Sequence, residues 1–574
     1  MTDPFVPRGI APHNDVSHVS GEIDTPLSTA TISTLLAGTA ARWPDRGAVV
    51  FREQGVRWTW AQFKTEVDRF AMGLLSLGLE PGDRLGIWSP NRVEWLVTQF
   101  ATARIGVILV NINPAYRLAE LEYALNTSGC RAIVSAERLR SSMYLEMLQA
   151  LAPELSSAEP GELKSSRLPM LQHVIRMGQE RTPGMLGYDE VMARGNGALD
   201  VAALDATGAA LDCFDAINIQ FTSGTTGNPK GATLTHNNVV NNARFVARAM
   251  RFNECDSLCI PVPLYHCFGM VLSVLACVST GAAMVFPGEV FDAAATLAAV
   301  SEEKCTALHG VPTMFIAELD HPGFAQFDLS MLRTGIMAGA PCPIETMKRV
   351  ISQMNMREVT IAYGMTETSP VSFQSSTTDP IERRVSTVGR IQPHLEARVV
   401  DDSGSTVAVG QTGELWVRGY SVMKGYWGDD ARTKDAVVDG WMRTGDLATI
   451  DAEGYCNIVG RVKDMLIRGG ENVYPREIEE FLFRHAKVQS VQVFGVPDPK
   501  YGEEICAWIV LKPGEQATDD EIRAFCRDQI AHYKVPRYIR FVSEMPMTIT
   551  GKVQKFVMRE RMIEELRFSE SRTA

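Results

Sequence analysis

The decapeptide Thr222-Ser223-Gly224-Thr225-Thr226-Gly227-Asn228-Pro229-Lys230-Gly231 packs four hydroxyls, three glycines, one lysine and one proline into ten residues. Glycine lets a backbone approach a ligand and turn its N–H groups inward; hydroxyls add donors, and a lysine adds a mobile positive charge. A nucleoside triphosphate asks this of a loop, whereas a solvated surface turn needs no internal Pro-Lys-Gly. The preceding Ile217-Asn218-Ile219-Gln220-Phe221 alternates apolar and polar, which predicts a half-buried strand. A Walker A loop would require Lys-Ser or Lys-Thr running into a helix. Here Gly231 follows Lys230, and Ala232-Thr233-Leu234-Thr235 reads as a second strand.

The chain around this loop has 574 residues, enough for two or more domains. Apolar residues make up 45 % and charged residues 22 %, as in an ordinary soluble globular protein, and the net charge of −12 argues against general nucleic-acid binding. Eleven cysteines lie scattered without a C-x-x-C pair, which suggests buried thiols in a reducing compartment. The first fifteen residues carry no apolar run of a signal peptide and one arginine, so a cytoplasmic location is expected. Leu258 to Gly288 lacks Asp, Glu, Lys and Arg, but Pro261, Pro263, His266 and Gly281 interrupt it. It divides into a helix-like 268–279 and a strand-like 282–286, better explained by a buried core than by a membrane span.

Toward the N-terminus, Phe63, Val67, Phe70, Leu74 and Leu77 recur at helical spacing before Gly78. A strand at 84–88, Asn91 as a helix cap, a helix face of Val93, Leu96, Val97 and Phe100, and a strand at 107–110 follow. This alternation predicts parallel α/β layers. Residues 150–215 are less periodic and read as irregular connections. Beyond Gly460-Arg461-Val462-Lys463 the pattern restarts as a small module: Pro475 opens a helix, strands fall near 488–494 and 504–511, Asp519 caps a second helix, and a last strand runs near 538–542.

Other stretches carry chemistry. Pro263-Leu264-Tyr265-His266 sets a histidine beside aromatics, and Gly339-Ala340-Pro341 offers backbone on which a flat ring could lie. Tyr363-Gly364-Met365-Thr366-Glu367 joins a stacking ring, a hydroxyl and a hard carboxylate; Mg²⁺ held with nucleotide phosphates takes only one or two protein carboxylates. Thr444-Gly445-Asp446 places an aspartate behind a glycine turn, where it could accept both ribose hydroxyls. Thr550-Gly551-Lys552 ends the small module. Read singly, each is as readily a solvated loop acid, a structural histidine or an exposed lysine.

Their order and spacing decide otherwise. From about residue 35 to 565 the chain resembles the adenylate-forming superfamily of acyl-CoA synthetases, luciferases and peptide-synthetase adenylation domains. Within it, Phe221 to Thr226, Pro263 to His266, Asn113-Pro114-Ala115-Tyr116 and Ile467 to Pro475 are similar to medium-chain acyl-CoA synthetases of the family-member-2 type. The resemblance implies a large N-terminal multi-layer α/β domain (1–462) holding the ATP and acyl sites. It also implies a small mobile C-terminal α+β lid domain (463–574) that swings about Lys463. A fatty acid, ATP and coenzyme A would be the substrates, with Mg²⁺, and acyl-CoA, AMP and pyrophosphate the products.

Carried over by position, Thr222, Ser223, Gly224, Thr225, Thr226, Gly227 and Lys230 would hold the β- and γ-phosphates, with Thr226 and Glu367 at the Mg²⁺. Thr366 would contact the α-phosphate. Tyr363 and Gly364 would lie at the adenine beside Gly339, Ala340 and Pro341, and Asp446 would bind the ribose with Arg461 behind it. Lys552 would bridge carboxylate and α-phosphate, His266 would stand at the acyl entrance, and Gly469 and Gly470 would line the coenzyme A tunnel. No nucleic-acid partner and no transmembrane segment are expected; a homodimer stays open. The alternatives are a ligase for aryl or other carboxylic acids on the same fold, a luciferase-like activity, or a nucleotide-binding scaffold without catalysis. An amino-acid-activating relative would carry an acid after the aromatic, where this chain has His266-Cys267-Phe268.

Overall fold

A computed structural model describes residues 11–12, 14–196, 201–222, 229–340, 342–468, 471–527, 529–548 and 551–573. The decapeptide's flanks form a β-hairpin: Ala216–Thr222 and Lys230–Thr235 run antiparallel, with Thr222 opposite Lys230. The first arm joins a parallel sheet by pairing with Ile108–Asn111. Eight strands make up this first sheet, from the edge pair Leu186–Gly187 and His173–Arg176 through the hairpin to Gly425–Tyr426.

A second sheet of nine strands is parallel from Gly47–Phe51 to Glu358–Gly364, with antiparallel strands at both edges. Helices fill the space between and around these sheets. Trp60–Ser76 begins at a capping box of Thr59 and Gln62 and buries Trp60, Phe63, Val67, Phe70 and Leu74, each worth about 1.5–3 kcal/mol. His236–Ala249 is almost wholly buried although its sequence is rich in asparagine. Asn242 donates to the Val371 carbonyl (2.8 Å) and accepts from the Val371 N–H (3.0 Å); Asn241 makes the same two-way contact with Ser28 (3.0 and 2.7 Å). These side chains replace ladder bonds that the segments on either side would otherwise lack.

A third, six-stranded sheet carries Trp441–Ile450 and ends with Cys456–Arg461. A fourth, five-stranded sheet is built entirely from residues beyond 465, with Gly502–Leu511 at its centre and its own apolar cluster around Val491, Ile505 and Ile509. The architecture is mixed α/β, with a large N-terminal and a small C-terminal part, as the periodicities predict.

Four local expectations change. Asn91 is not a helix cap: Val93–Arg104 begins at Arg92 without a side-chain cap. Asn91 instead donates to the Val262 carbonyl (3.0 Å) and accepts from Leu264 N–H (2.8 Å), stitching the two parallel sheets at the loop that follows Ser257–Cys259. Residues 150–215 are not merely irregular; His173–Arg176 and Leu186–Gly187 extend the first sheet and Tyr188–Arg194 is a helix. Strands this short give too few alternations to register as a pattern. The cap of Asp519–Cys526 is Thr518, whose hydroxyl accepts from Glu521 N–H (3.2 Å). The C-terminal helix Lys555–Thr573 is an addition to the predicted elements. Among the described residues, no helix is long and apolar enough to cross a membrane.

Candidate active site

The hairpin, the end of strand Glu358–Gly364, the Asp446 turn and the Lys552 turn meet in one cleft. Glu358–Gly364 ends because Gly364 must lie against the next segment: a Cβ there would sit 1.7 Å from the Pro370 carbonyl oxygen. The chain then turns through Thr366–Thr368, which holds Glu367 pointing back toward the hairpin. Glu367 is only 6 % exposed. Its Oε1 accepts from the Tyr426 hydroxyl (2.9 Å) and the Thr222 hydroxyl (3.2 Å), and its backbone carbonyl accepts from Met423 N–H (2.9 Å). Among the described residues it has no ion pair, and its buried carboxyl group is held by two hydroxyls. Thr366 lies next to it, and the nearby Cys267 thiol donates to Gln220 (3.1 Å).

Asp446 is presented by a bulge. Glu414 stands opposite Leu447 and Trp416 opposite Arg443, so one strand carries two extra residues. The bulge's groups are all held: Thr444 donates to the Leu415 carbonyl (2.6 Å), Gly445 N–H donates to Glu414 (3.2 Å), and Asp446 N–H donates to Thr444 (3.1 Å). The Asp446 carboxylate then accepts from the Tyr363 hydroxyl at 2.6 Å and from Arg461 Nε at 3.2 Å. Burial first, then Asp446, raises the Tyr363 hydroxyl well above its ordinary pKa, so it stays a donor. Parallel pairing of Ala338 with Ala362 sets Gly339 and Ala340 beside Tyr363, and Gly339 takes a φ of +85° where the strand ends.

Lys552 comes from the far end of the chain. Its turn is closed by Lys552 N–H to the Thr548 hydroxyl (3.0 Å) and by Thr548 N–H to the Lys552 carbonyl (2.8 Å). The turn rests on the large part of the protein through Thr313, whose hydroxyl donates to the Gly551 carbonyl (3.5 Å). There the ammonium is crowded by protein while keeping contact with solvent. Burial lowers its pKa most and Arg461 lowers it further, while Asp446 and Glu367 pull it up. His266 feels the same lysine: burial, then the Lys552 charge, brings it down to about 4, so it is neutral at pH 7. Its Nδ1 accepts from Phe268 N–H (3.2 Å), which leaves the proton on Nε2.

The structure therefore brings together Thr222, Lys230, Tyr363, Gly364, Thr366, Glu367, Asp446, Arg461, Lys552 and His266, with Gly339 and Ala340 at the edge. Ser223, Gly224, Thr225, Thr226, Gly227, Pro341, Gly469 and Gly470 lie outside the described residues. Lys463 lies two residues past the strand end at Arg461, and between them Val462 N–H donates to the Gly445 carbonyl (3.0 Å). Sequence reading passed over Tyr426 and Glu414. Tyr426 lies in the charged, glycine-containing run Lys424-Gly425-Tyr426-Trp427-Gly428-Asp429 and Glu414 follows Gly413, but what each side chain contacts becomes visible only through strand pairing.

A family profile described as AMP-binding enzyme matches residues 36–427, and one described as AMP-binding enzyme C-terminal domain matches residues 477–552. A protein of Bacillus subtilis (strain 168), YngI, is 51 % identical over 547 residues, covering 95 % of this chain and 99 % of that one. The mitochondrial medium-chain acyl-CoA ligase ACSF2 of Bos taurus is 47 % identical over 561 residues, covering 97 % and 91 %. The crystal structure of the anthranilate CoA ligase AuaEII in complex with anthranoyl-AMP superposes with a TM-score of 0.83 at 26 % identity, covering 94 % of this chain and 98 % of that one.

Proposed function

Because the chain belongs to the AMP-binding enzyme family, we propose that its cleft joins a fatty acid to coenzyme A through an acyl-adenylate. The protein is an AMP-forming acyl-CoA ligase, and we assign it medium-chain acids as preferred substrates. The wholly buried apolar stretch Phe268–Leu275 behind His266 supports this, as does the name of the bovine relative.

The observation that carries the reading is the convergence of Lys552 with Asp446, Arg461 and Glu367 from separate elements. In the first half-reaction a carboxylate oxygen attacks the α-phosphorus of ATP and pyrophosphate leaves. The substrate is its own nucleophile, so the protein has to position anions and offset their charge. Lys552 neutralises charge between carboxylate and α-phosphate; Asp446, fixed by Tyr363 and Arg461, accepts the ribose hydroxyls. Neutral His266 lines the acyl side without adding a second cation. In the second half-reaction the thiol attacks the acyl carbon and AMP departs, with the small C-terminal part turned to a different face.

The residues present suit Mg²⁺. Glu367 is a buried carboxylate without an ion pair among the described residues, and one carboxylate is what a cation shared with phosphates and water requires. Glu367 would hold it, and bound there it would offset phosphate charge. The test uses Lys552→Ala. ATP–pyrophosphate exchange should vanish while thioester formation from supplied acyl-adenylate and coenzyme A survives. Loss of both half-reactions in a folded variant would remove Lys552 from the adenylation role.

A further inference from the structure

Gly425–Tyr426 is the last strand of the first sheet, paired with the second arm of the hairpin at Ala232 and Thr233. Lys424 N–H donates to the Thr233 carbonyl (2.9 Å), Trp427 N–H to the Gly231 carbonyl (2.8 Å), and Tyr426 N–H to the Thr433 hydroxyl (2.9 Å). The backbone of Tyr426 is thereby fixed from both sides, and its side chain is 6 % exposed. Each half of that side chain is engaged. The hydroxyl donates to Glu367 Oε1 at 2.9 Å, and the Lys230 ammonium lies 5.0 Å from the ring centroid. Thr222, the cross-strand partner of Lys230, donates to the same Glu367 oxygen. Lys230, Tyr426, Glu367 and Thr222 thus form one connected group spanning the mouth of the loop.

We propose that Tyr426 is a positioning residue that sets both charged ends of the triphosphate site. Its hydroxyl orients Glu367 toward the divalent cation, and its ring holds Lys230 where phosphate arrives. Both hydroxyl donors fall on Oε1, so Oε2 is the oxygen that would be offered to a cation. A hydrogen bond to a charged carboxylate is about twice as strong as a neutral one, so the aim of Glu367 depends on it. A cation over an aromatic face is attracted to the ring while its outer N–H groups stay available, so Lys230 is pre-placed rather than neutralised. The two functions separate chemically: phenylalanine keeps the face and loses the hydroxyl, leucine loses both.

This inference rests on the ligase reading of Glu367, so the experiment measures binding without turnover. A non-hydrolysable ATP analogue is titrated calorimetrically into the full chain as Mg²⁺ is varied, and Mn²⁺ binding is followed in parallel by electron paramagnetic resonance. Tyr426→Phe should keep metal-free analogue affinity within about twofold and need about tenfold more cation for half-maximal tightening. Tyr426→Leu should show the same cation defect plus a further three- to fivefold loss of metal-free affinity, of the order a cation–π contact supplies. A wild-type cation requirement in Tyr426→Phe, or identical behaviour of the two variants at unchanged melting temperature, would overturn the proposal. Wild-type protein whose analogue binding ignores Mg²⁺ would overturn the metal reading of Glu367 itself, and with it this inference.

Discussion

Gly551 offers the sharpest mechanical test, because the lysine turn touches the large part of the protein through it. Its φ is +76°, and a Cβ built there would lie 2.8 Å from Val311 Cγ2 and 3.0 Å from Thr313 Oγ1. Alanine would meet two costs. The left-handed backbone costs roughly 1–2 kcal/mol, but in every orientation of the small C-terminal part that keeps this turn. Under the proposed turning of the small C-terminal part, crowding against Val311 and Thr313 would arise only where Lys552 enters the cleft. Overpacking costs about 1–3 kcal/mol. A differential of ~2 kcal/mol corresponds to roughly thirty-fold. Gly551→Ala should therefore slow ATP–pyrophosphate exchange about thirty-fold. Thioester formation from supplied acyl-adenylate should stay within about threefold of wild type, and Gly551→Val should be worse in exchange alone. Exchange within twofold of wild type would refute the reasoning. So would an equal fall in both half-reactions at an unchanged melting temperature.

Two further outcomes follow from the same geometry. Across straight-chain acids from four to eight carbons, kcat/KM should rise with length, since each buried methylene adds about 0.8 kcal/mol of transfer free energy; a flat or falling series would contradict the medium-chain assignment. Stability should fall in mild acid: burial lowers His236 from 6.5 to about 4, so between those values the unfolded chain binds a proton that the native state refuses. The full effect is roughly 3 kcal/mol, complete once pH passes below about 4. His236→Gln, which keeps an acceptor for the Ile32 N–H, should show a shallower loss of urea midpoint between pH 6.5 and 4.5 than wild type. Parallel pH profiles would show that His236 does not carry it.

The parts legible in the sequence are those where chemistry forces composition. Glycine beside hydroxyls and lysine marks the hairpin loop, alternation marks its two strands, and Glu367, Asp446 and Lys552 each sit behind a turn signal. Asp446 was legible as an acid behind glycine, but not the bulge that aims it, because a bulge is a mismatch between two strands and neither sequence carries it alone. Tyr426 stands in a visible Gly-Tyr-Trp-Gly run, but its role was illegible for the same reason: its partners Lys230 and Glu367 reach it through the pairing of a two-residue strand. The helix His236–Ala249 shows the opposite failure. Its run of asparagines gives no sign from composition alone of which way it faces, and Asn238, Asn241 and Asn242 are buried and bound to backbone. A buried amide that replaces a ladder bond has the same letter as one facing water.

The central claim is that the carboxylate attacks the α-phosphorus. It is tested by supplying octanoate labelled with ¹⁸O in both carboxylate oxygens, with ATP, Mg²⁺ and coenzyme A, and weighing the nucleotide product. One labelled oxygen stays on phosphorus when the thiol attacks the acyl carbon, so AMP should emerge one ¹⁸O heavier, in equal amount to octanoyl-CoA. Unlabelled AMP, or ADP and phosphate in its place, would contradict the account.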